Sequence, residues 1–477
     1  SITGIVLNEE DEKPIPGANI YLKKLGVGTV SQVDGRFILD NLPYGNISLT
    51  ISVIGFKDVI KSMELDEESY DLGNVFMLRD TLKFQVIDID AHDELQPHNF
   101  GSNVYIAGNK FHENEKASLA FTLDEEVGLS IRSMGQATAQ PVLRGYSGDR
   151  FSITEDGVTI GDLSNTSVDH TVSMDMSAYN KVRIIRGPEA LLYGSNAIGG
   201  IIDVSRGINK KVKMDKPRLW TLVGTESSNK TALTNFVGYL PVKNHQFRFS
   251  LLNRESGNER TPKGVLDNTA LSTNEVTGTY SYFGEASQST FAVEQITMDY
   301  GIPGSYEGHI NGVDIAMRKN TQKYNYHRDI SFLGFETFDV DQRFIDYNHI
   351  EYEKGSDYPS VLMDQKIFSL QGKFTGSDVT VGSLLGYRKF TAGGFYWTPD
   401  AEEISLAIFG LTERRINDLT LQISSRAENL SIIPRTGNLF LSNIDPKQVS
   451  NRNFNIFSAA IGVYRNWSNW ELSLGTI

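Results

Sequence analysis

The residues of this chain best suited to chemistry are a neighbouring carboxylate and imidazole, Asp169 and His170, in the polar run Asn165-Thr-Ser-Val-Asp-His170. Carboxylate oxygen and imidazole nitrogen are ligands that suit a divalent ion such as zinc. Two adjacent residues supply at most half of a metal site. A solvated pair in a loop is the alternative, and the residues alone leave both interpretations open.

No catalytic set accompanies this pair. The run Gly145-Tyr-Ser-Gly148 lacks the spacing of a nucleophile elbow, and no phosphate-binding loop, His-Glu-x-x-His helix or dinucleotide fingerprint occurs. The absence of cysteine excludes disulfides, thiol catalysis and cysteine-ligated zinc. A net charge of −14 without a basic stripe argues against a nucleic-acid partner. We therefore expect a protein that is not an enzyme and requires no cofactor.

The elements that would position such a site begin with a small all-β domain over residues 1–80. Short apolar or alternating runs occur there, separated by turn-forming residues. Asp34-Gly35 is typical of a hairpin between two strands, because glycine accepts the positive φ of a tight turn. Strands at this spacing favour an immunoglobulin-like β-sandwich. We expect it to serve for docking or as a spacer.

Residues 81–95 predict a linker that contains one short strand. The alternating residues of this strand are Phe84, Gln85, Val86, Ile87, Asp88, Ile89 and Asp90. A free strand between two domains can be donated to the sheet edge of a partner protein. An ordinary linker is the alternative.

Residues 96–206 predict a mixed α/β domain built around a strand–turn–helix–turn–strand unit. Pro188 follows a strand-like run and suits the first position of a helical turn, where its missing N–H costs nothing. Gly194 fits a left-handed C-cap at the end of that turn. These residues by themselves predict a structural scaffold and no particular function.

From residue 207 to residue 477 the pattern changes to repeated two-residue alternation. Phe247, Phe249 and Leu251 alternate with polar residues, and similar runs recur along the segment. No apolar run reaches the roughly 18 residues of a membrane-spanning helix. A transmembrane strand, however, needs only about 10 residues with every second one apolar. We therefore expect an antiparallel transmembrane β-barrel with its apolar face outward; a soluble sandwich with one solvated face is the alternative.

The order of these segments resembles that of the TonB-dependent outer-membrane receptors. Residues 1–80 resemble the carboxypeptidase-regulatory-like domain of many receptors from Bacteroidetes-type bacteria, and residues 96–206 resemble the receptor plug nearly end to end. The residues of the plug motif are Arg144, Gly145, Asp149, Arg150, Arg186, Gly187, Pro188, Tyr193, Gly194, Gly199 and Gly200.

This resemblance implies a location, a set of partners and an incomplete barrel. The family barrel has about 22 strands, so residues 207–477 are expected to form only its first part. The strand at residues 84–90 would be the TonB box, which binds TonB and its inner-membrane energising complex. Outer-membrane lipids would surround the barrel of a Gram-negative cell, with the N-terminal domain in the periplasm. A surface lipoprotein or another outer-membrane protein is a further partner to consider.

The resemblance also implies how the plug is seated. Four arginines near the plug strands would face carboxylates of the barrel wall. They are Arg144, Arg150, Arg183 and Arg186. Ordinary surface arginines are the alternative.

Within the family, the chain resembles the branch that contains outer-membrane zinc receptors. The run from Arg144 to Asp175 and the run Tyr300-Gly-Ile-Pro-Gly304 carry this likeness. In that branch the plug Asp–His pair is implicated in metal binding, which points to Asp169 and His170.

A ligand from the barrel is needed to complete such a cage. His349 and Glu351 are the candidates, because alternation places both on one strand face. The chain departs from the zinc branch in the loop after residue 304, where His309 stands in place of a histidine-rich run.

The predicted function is TonB-dependent import of a scarce nutrient across the outer membrane. Its cargo would be a metal ion, zinc or another divalent cation, or a metal complex. The alternative is a non-transporting subunit of an outer-membrane assembly or export complex with the same fold.

Overall fold

The chain divides into two compact units, Ser1–Ile89 and Asp90–Ile477. The computed structural model describes residues 1–9, 11–22, 27–40, 42, 45–53, 56, 59–65, 69–78, 103–208, 213–305, 309–395, 398–416, 419–437, 445–467 and 470–476.

The described residues of the first unit form seven strands in two sheets. Its strands are β1 (Ile2–Asn8), β2 (Asn19–Leu22), β3 (Val27–Val30), β4 (Arg36–Leu39), β5 (Gly45–Ser52), β6 (Val59–Leu65) and β7 (Tyr70–Met77). One sheet has the order β4-β1-β7, with β1 parallel to β7, and the other has the order β3-β2-β5-β6. Both sheets contribute apolar residues to one core, so the predicted β-sandwich is confirmed.

The predicted hairpin at Asp34-Gly35 is wrong. Gly35 does adopt a positive φ of 77°, and its N–H donates to the Gln32 carbonyl in a tight turn. The flanking strands nevertheless pair elsewhere, β3 with β2 and β4 with β1. The turn therefore carries the chain from one sheet to the other, which local turn chemistry does not distinguish from a hairpin.

The second unit begins with a mixed α/β domain. Its elements are β8 (Val104–Ala107), α1 (Gly108–Asn114), α2 (Leu119–Thr122), β9 (Leu129–Arg132), β10 (Gln140–Leu143), β11 (Ser152–Glu155), β12 (Val158–Thr159), β13 (Lys181–Ile185) and β14 (Ile201–Ser205). Five strands form a sheet in the order β12-β11-β14-β13-β8, and β9 pairs with β10. Buried apolar side chains of β13 and β14 lie at its centre, so the predicted mixed domain is confirmed.

The connection from β13 to β14 contains the predicted helical turn, as the 3-10 helix Gly187–Leu192 with Pro188 near its start. Gly187 and Gly200, on either side, have positive φ angles of 70° and 113°. Gly194 does not adopt the predicted left-handed conformation, since the turn ends at Tyr193 with ordinary right-handed angles. A 3-10 turn ends without the left-handed residue that an α-helical C-cap requires.

A large antiparallel sheet follows. Its strands, with one small separate hairpin at β18 and β19, are β15 (Arg218–Glu226), β16 (Thr231–Val242), β17 (His245–Ser256), β18 (Arg260–Thr261), β19 (Gly264–Val265), β20 (Leu271–Phe283), β21 (Ser287–Ile302), β22 (Val313–Phe332), β23 (Phe335–Glu353), β24 (Pro359–Gly376), β25 (Val379–Gly394), β26 (Asp400–Ile416), β27 (Leu419–Arg435), β28 (Arg452–Trp467) and β29 (Trp470–Thr476). Thirteen of them pair in chain order from β15 to β29.

The two faces of this sheet differ in polarity, as the alternation predicts. On β17, Phe247, Phe249 and Leu251 leave 46%, 49% and 46% of their surface exposed, whereas Arg248 and Ser250 between them are buried. The buried face, called the inner face below, contacts the α/β domain. In the described part of the chain, no helix is long and apolar enough to cross a membrane.

Candidate metal site

Three titratable side chains meet where the α/β domain contacts the inner face of the large sheet. They are His170, His349 and Glu351, and their potential ligand atoms all lie within 4.8 Å of one another. The Nε2 atoms of His349 and His170 lie 3.0 Å and 3.3 Å from the same oxygen, Oε1 of Glu351. The two imidazole rings are 4.5 Å apart between centroids.

Two different elements position this cluster. His349 and Glu351 are alternate residues of β23 and both point to the inner face, with only 0% and 8% of their surfaces exposed. His170 lies in the loop between β12 and β13 and is 3% exposed. The predicted shared strand face of His349 and Glu351 is therefore present, and the loop histidine packs directly on it.

The hydrogen bonds of His170 establish which of its ring nitrogens carries the proton. The Thr166 hydroxyl donates to the Leu163 carbonyl at 2.6 Å. Nδ1 of His170 lies 2.9 Å from that hydroxyl oxygen and 3.1 Å from the same carbonyl. Because both neighbours act as acceptors, Nδ1 must be the donor. Nε2 therefore presents its lone pair to the cluster whenever the ring is neutral, which is the arrangement of a metal-binding histidine.

Two of the separations between the ligand atoms suit a tetrahedral ion. Zinc binds imidazole nitrogen and carboxylate oxygen at about 2.0–2.2 Å, so neighbouring ligands of a tetrahedron lie about 3.3 Å apart. The separations of 3.0 Å and 3.3 Å between the histidine nitrogens and Glu351 match that edge. Three protein ligands leave a fourth position for water or another ligand, as in zinc sites that exchange what they bind.

Asp169 lies outside this cluster. Its carboxylate accepts a hydrogen bond from the Ser167 hydroxyl. Both residues lie in a turn-rich loop, and of the two only His170 is buried against the sheet. The structure thus brings together three of the four predicted ligands.

The pKa of His170 responds to this environment. Burial lowers it, but the hydrogen bond with Glu351 and the negative charge of Asp169 outweigh burial, so the pKa is raised above its usual value. The protonated, positively charged form of His170 is therefore favoured beside Glu351.

A tyrosine of the sheet holds the backbone on both sides of His170. The Tyr300 hydroxyl donates to the Asp169 carbonyl at 3.2 Å and accepts from the Thr171 N–H at 3.2 Å. Tyr300 belongs to the Tyr-Gly-Ile-Pro-Gly run that carries part of the family likeness. The sequence did not predict its contact with the backbone beside His170. The buried position of Tyr300 on β21 aligns the histidine with the two ligands on β23.

Buried ion pairs join the α/β domain to the sheet. Arg206 contacts Glu155 at 3.0 Å within the domain and also reaches Glu275 on β20. Lys323 on β22 lies 2.7 Å from both Glu155 and Glu294. Burial raises the pKa of Glu155, but the charges of Lys323 and Arg206 prevail and lower it below its usual value. These four contacts keep each buried charge paired.

A further pair lies on β17. Arg254 donates from Nε to Oδ2 of Asp175 at 2.6 Å and from Nη2 to Oδ1 at 3.1 Å. This bidentate geometry gives a strong arginine–carboxylate interaction. The Arg254–Asp175 pair could not be predicted from the sequence, because the two residues lie in different domains and no local pattern connects them.

The next contacts concern the arginines that were predicted to face carboxylates of the barrel wall. Arg183 pairs with Asp203 at 3.3 Å and with Glu189 at 3.8 Å, both within the α/β domain and not on the sheet. Arg144 and Arg150 are exposed. The expectation that Arg183 faces the barrel wall is wrong, because β13 directs it across its own sheet towards β14.

The other plug-motif residues have local structural roles. Gly145 adopts a φ of 81° in the turn after β10, and Asp149 is exposed in a short 3-10 helix. The Arg186 guanidinium donates to the Val127 carbonyl at 3.1 Å. A side chain at Gly199 would lie 3.0 Å from the Arg150 carbonyl oxygen. The TonB-box candidate, residues 84–90, lies outside the described residues and remains a prediction.

Two family models match the chain. Residues 2–86 match the CarboxypepD_reg-like domain, and residues 101–201 match the TonB-dependent Receptor Plug Domain.

Relatives with assigned names match parts of the chain. A hemin receptor of Yersinia pestis is 35% identical over 98 residues, which are 20% of this chain and 14% of the relative. The TonB-dependent receptor P39 of Formosa agariphila is 26% identical over 259 residues, which are 51% of this chain and 22% of the relative.

Solved structures share the fold over most of the chain. The copper transporter OprC superposes with a TM-score of 0.66 at 15% identity, covering 78% of this chain and 62% of OprC. The ferric citrate transporter FecA gives a TM-score of 0.58 at 12% identity, covering 79% of this chain and 62% of FecA. The chain thus spans less than two thirds of the length of each of these proteins.

The fold defines the class: a plug domain packed on the inner face of a barrel-type antiparallel sheet. The chain contains a CarboxypepD_reg-like domain and a TonB-dependent receptor plug domain, and its fold is that of the TonB-dependent receptors.

Proposed function

We propose that this protein imports a transition-metal cation, or a complex of one, across the outer membrane in a TonB-dependent manner. The observation that carries the proposal is the buried cluster of His170, His349 and Glu351. Two imidazoles and a carboxylate at these spacings form a ligand set for zinc or a related cation. Zinc is therefore a suitable cation for testing the proposal.

The division of the ligands between two domains supports transport rather than structural metal binding. His170 belongs to the plug, whereas His349 and Glu351 belong to the sheet. A displacement of the plug loop would separate one ligand from the other two and weaken the site. Force on the plug would then release the ion, and TonB bound to residues 84–90 would supply that force.

The polarity of the sheet supports a location in the outer membrane. Aromatic and aliphatic side chains such as Phe249 and Leu406 remain about half exposed on the outer face. This is the surface that acyl chains would cover. We place the CarboxypepD_reg-like domain and the TonB-box candidate in the periplasm, as the resemblance to TonB-dependent receptors implies.

Calorimetric titration of zinc into the detergent-purified protein tests the proposal. We expect one ion per chain, with affinity falling roughly 10- to 100-fold or more in His349→Ala, since even losing an outer partner of a ligand has effects of that size. His245→Ala is the matched control. His245 lies at the start of β17, away from the cluster, and stacks on Tyr280. No zinc binding by the intact protein, or an equal loss in the control, would contradict the metal site.

An uptake measurement distinguishes import from the structural alternative. Cells that express the receptor should accumulate zinc, and deletion of residues 84–90 should abolish accumulation without changing the affinity of the purified protein. Binding without uptake in the intact receptor would favour a non-transporting subunit of an outer-membrane complex.

A further inference from the structure

A row of side chains crosses four neighbouring strands of the large sheet at the level of the metal cluster. Met298 on β21 lies directly opposite Met317 on β22, and Met317 lies directly opposite His349 on β23. His349 in turn lies directly opposite Met363 on β24. One of the three cluster ligands therefore has a methionine on each side.

These methionines face the interior. Met298 and Met317 expose only 3% and 2% of their surfaces, and Met363 packs partly buried against the same apolar cluster. Met134 of the plug packs against it as well. The chain has nine methionines in all, and four of them gather in this one cluster beside the candidate ligands.

The register brings the thioethers of two methionines within reach of the site. Side chains directly opposite each other in an antiparallel sheet have Cβ atoms about 4.5–5.5 Å apart. The methionine side chain is unbranched and has three rotatable bonds, so its sulfur can turn towards a neighbour. Met317 and Met363 can therefore approach an ion held by His349, whereas Met298 stands one strand further away.

The chemistry of these groups differs from that of the carboxylate. Thioether sulfur is a soft ligand that selects copper(I), while imidazole binds both copper and zinc. The cluster of His170, His349 and Glu351 leaves a coordination position open, and the flanking sulfurs are the groups closest in register to fill it.

We propose that the cargo of this site is a soft transition-metal cation, copper(I), held by the histidines with thioether ligation from Met317 and Met363. This inference rests on the proposed function and specifies its substrate class. Methionine also fills irregular gaps in apolar cores. If packing were its only role here, leucine would replace it without any change in metal preference.

The test compares copper(I) and zinc affinities of the detergent-purified protein and of Met317→Leu/Met363→Leu. Leucine preserves most of the volume and removes the sulfur. Under anaerobic competition with bicinchoninate, we expect the double variant to lose about tenfold or more in copper(I) affinity. Its zinc affinity should remain within about twofold, because the nitrogen and oxygen ligands are intact. Met298→Leu is the matched control and should bind copper(I) as the original protein does.

X-ray absorption of the copper(I)-loaded protein gives an independent readout. Sulfur should appear in the first coordination shell and should disappear in the double variant but not in Met298→Leu. Unchanged copper(I) affinity in the double variant, or a shell without sulfur, would overturn the inference while zinc binding left the proposed function standing. Failure of the original protein to bind either ion would overturn both.

Discussion

Glu155 and Asp156 are adjacent carboxylates at the end of β11 that experience opposite electrostatic surroundings. Glu155 contacts Lys323 and Arg206. Asp156 accepts a hydrogen bond from the Ser205 hydroxyl at 2.5 Å, but its other oxygen is shut off from solvent without a hydrogen-bond partner. Burial, and then the charge of Glu155, raise the pKa of Asp156 to about 6.

This shift predicts a pH-dependent stability. The folded protein retains a proton on Asp156 that the unfolded chain, with a pKa near 3.8, has released. The contribution of Asp156 to stability therefore falls as pH rises from about 4 to about 6, and stays low above that range. Asp156→Asn should raise the melting temperature of the plug at pH 8 and leave it nearly unchanged at pH 4.

Asp149→Asn is the control for this experiment, because Asp149 is an exposed carboxylate of the same domain. A gain in melting temperature that is equal at both pH values would contradict the assignment to Asp156.

At the scale of the element, the turn between β13 and β14 depends on one glycine. Gly200 has a φ of 113°, and a Cβ there would lie 2.8 Å from the Ile185 carbonyl oxygen and 3.1 Å from the Leu143 side chain. Only glycine combines that backbone conformation with such a close approach.

Gly200→Ala should therefore destabilise the plug by more than the usual cost of a strained residue, roughly 1–3 kcal/mol. Gly145→Ala is the comparison, since Gly145 has a φ of 81° but no atom within 4 Å of the Cβ position. In that variant the free energy of unfolding should fall only by the cost of the left-handed backbone conformation, about 1–2 kcal/mol. Urea unfolding of the plug, monitored by limited proteolysis, measures the stability of both variants. Equal midpoints for Gly200→Ala and Gly145→Ala would show that the close approach of backbone and side chain at Gly200 has no effect.

At the scale of the whole molecule, the plug is held on the sheet by buried ion pairs. The side chains of Arg254 and Asp175 expose only 3% and 1% of their surfaces. Removal of one partner from a buried pair leaves the other charge without compensation, which costs roughly 3–5 kcal/mol.

We expect Arg254→Leu to lower the urea midpoint of plug unfolding and to leave the sheet intact. The matched control is Arg414→Leu, which breaks the exposed pair with Asp378, at 69% and 50% exposure. Exposed pairs contribute only about 0–1 kcal/mol. A plug midpoint in Arg254→Leu that equals the control would show that this pair does not fasten the plug.

The sequence by itself determined the class of each region. Two-residue alternation around Phe249, the turn residues of the first domain and the run around Pro188 are local features. A strand's inner and outer faces and a 3-10 turn follow directly from such local periodicity and backbone preference. The inner-face position of His349 and Glu351 was predictable for the same reason.

Tertiary structure alone decided which of these residues meet. His170 and Glu351 are 181 positions apart, and the methionine row depends on the register of four strands. The choice of His170 over Asp169 depends on how the plug loop docks, and the choice of Arg206 and Arg254 as anchors depends on the same docking. Register and docking minimise the energy of many hydrogen bonds and buried charges at once. No local pattern therefore specifies them.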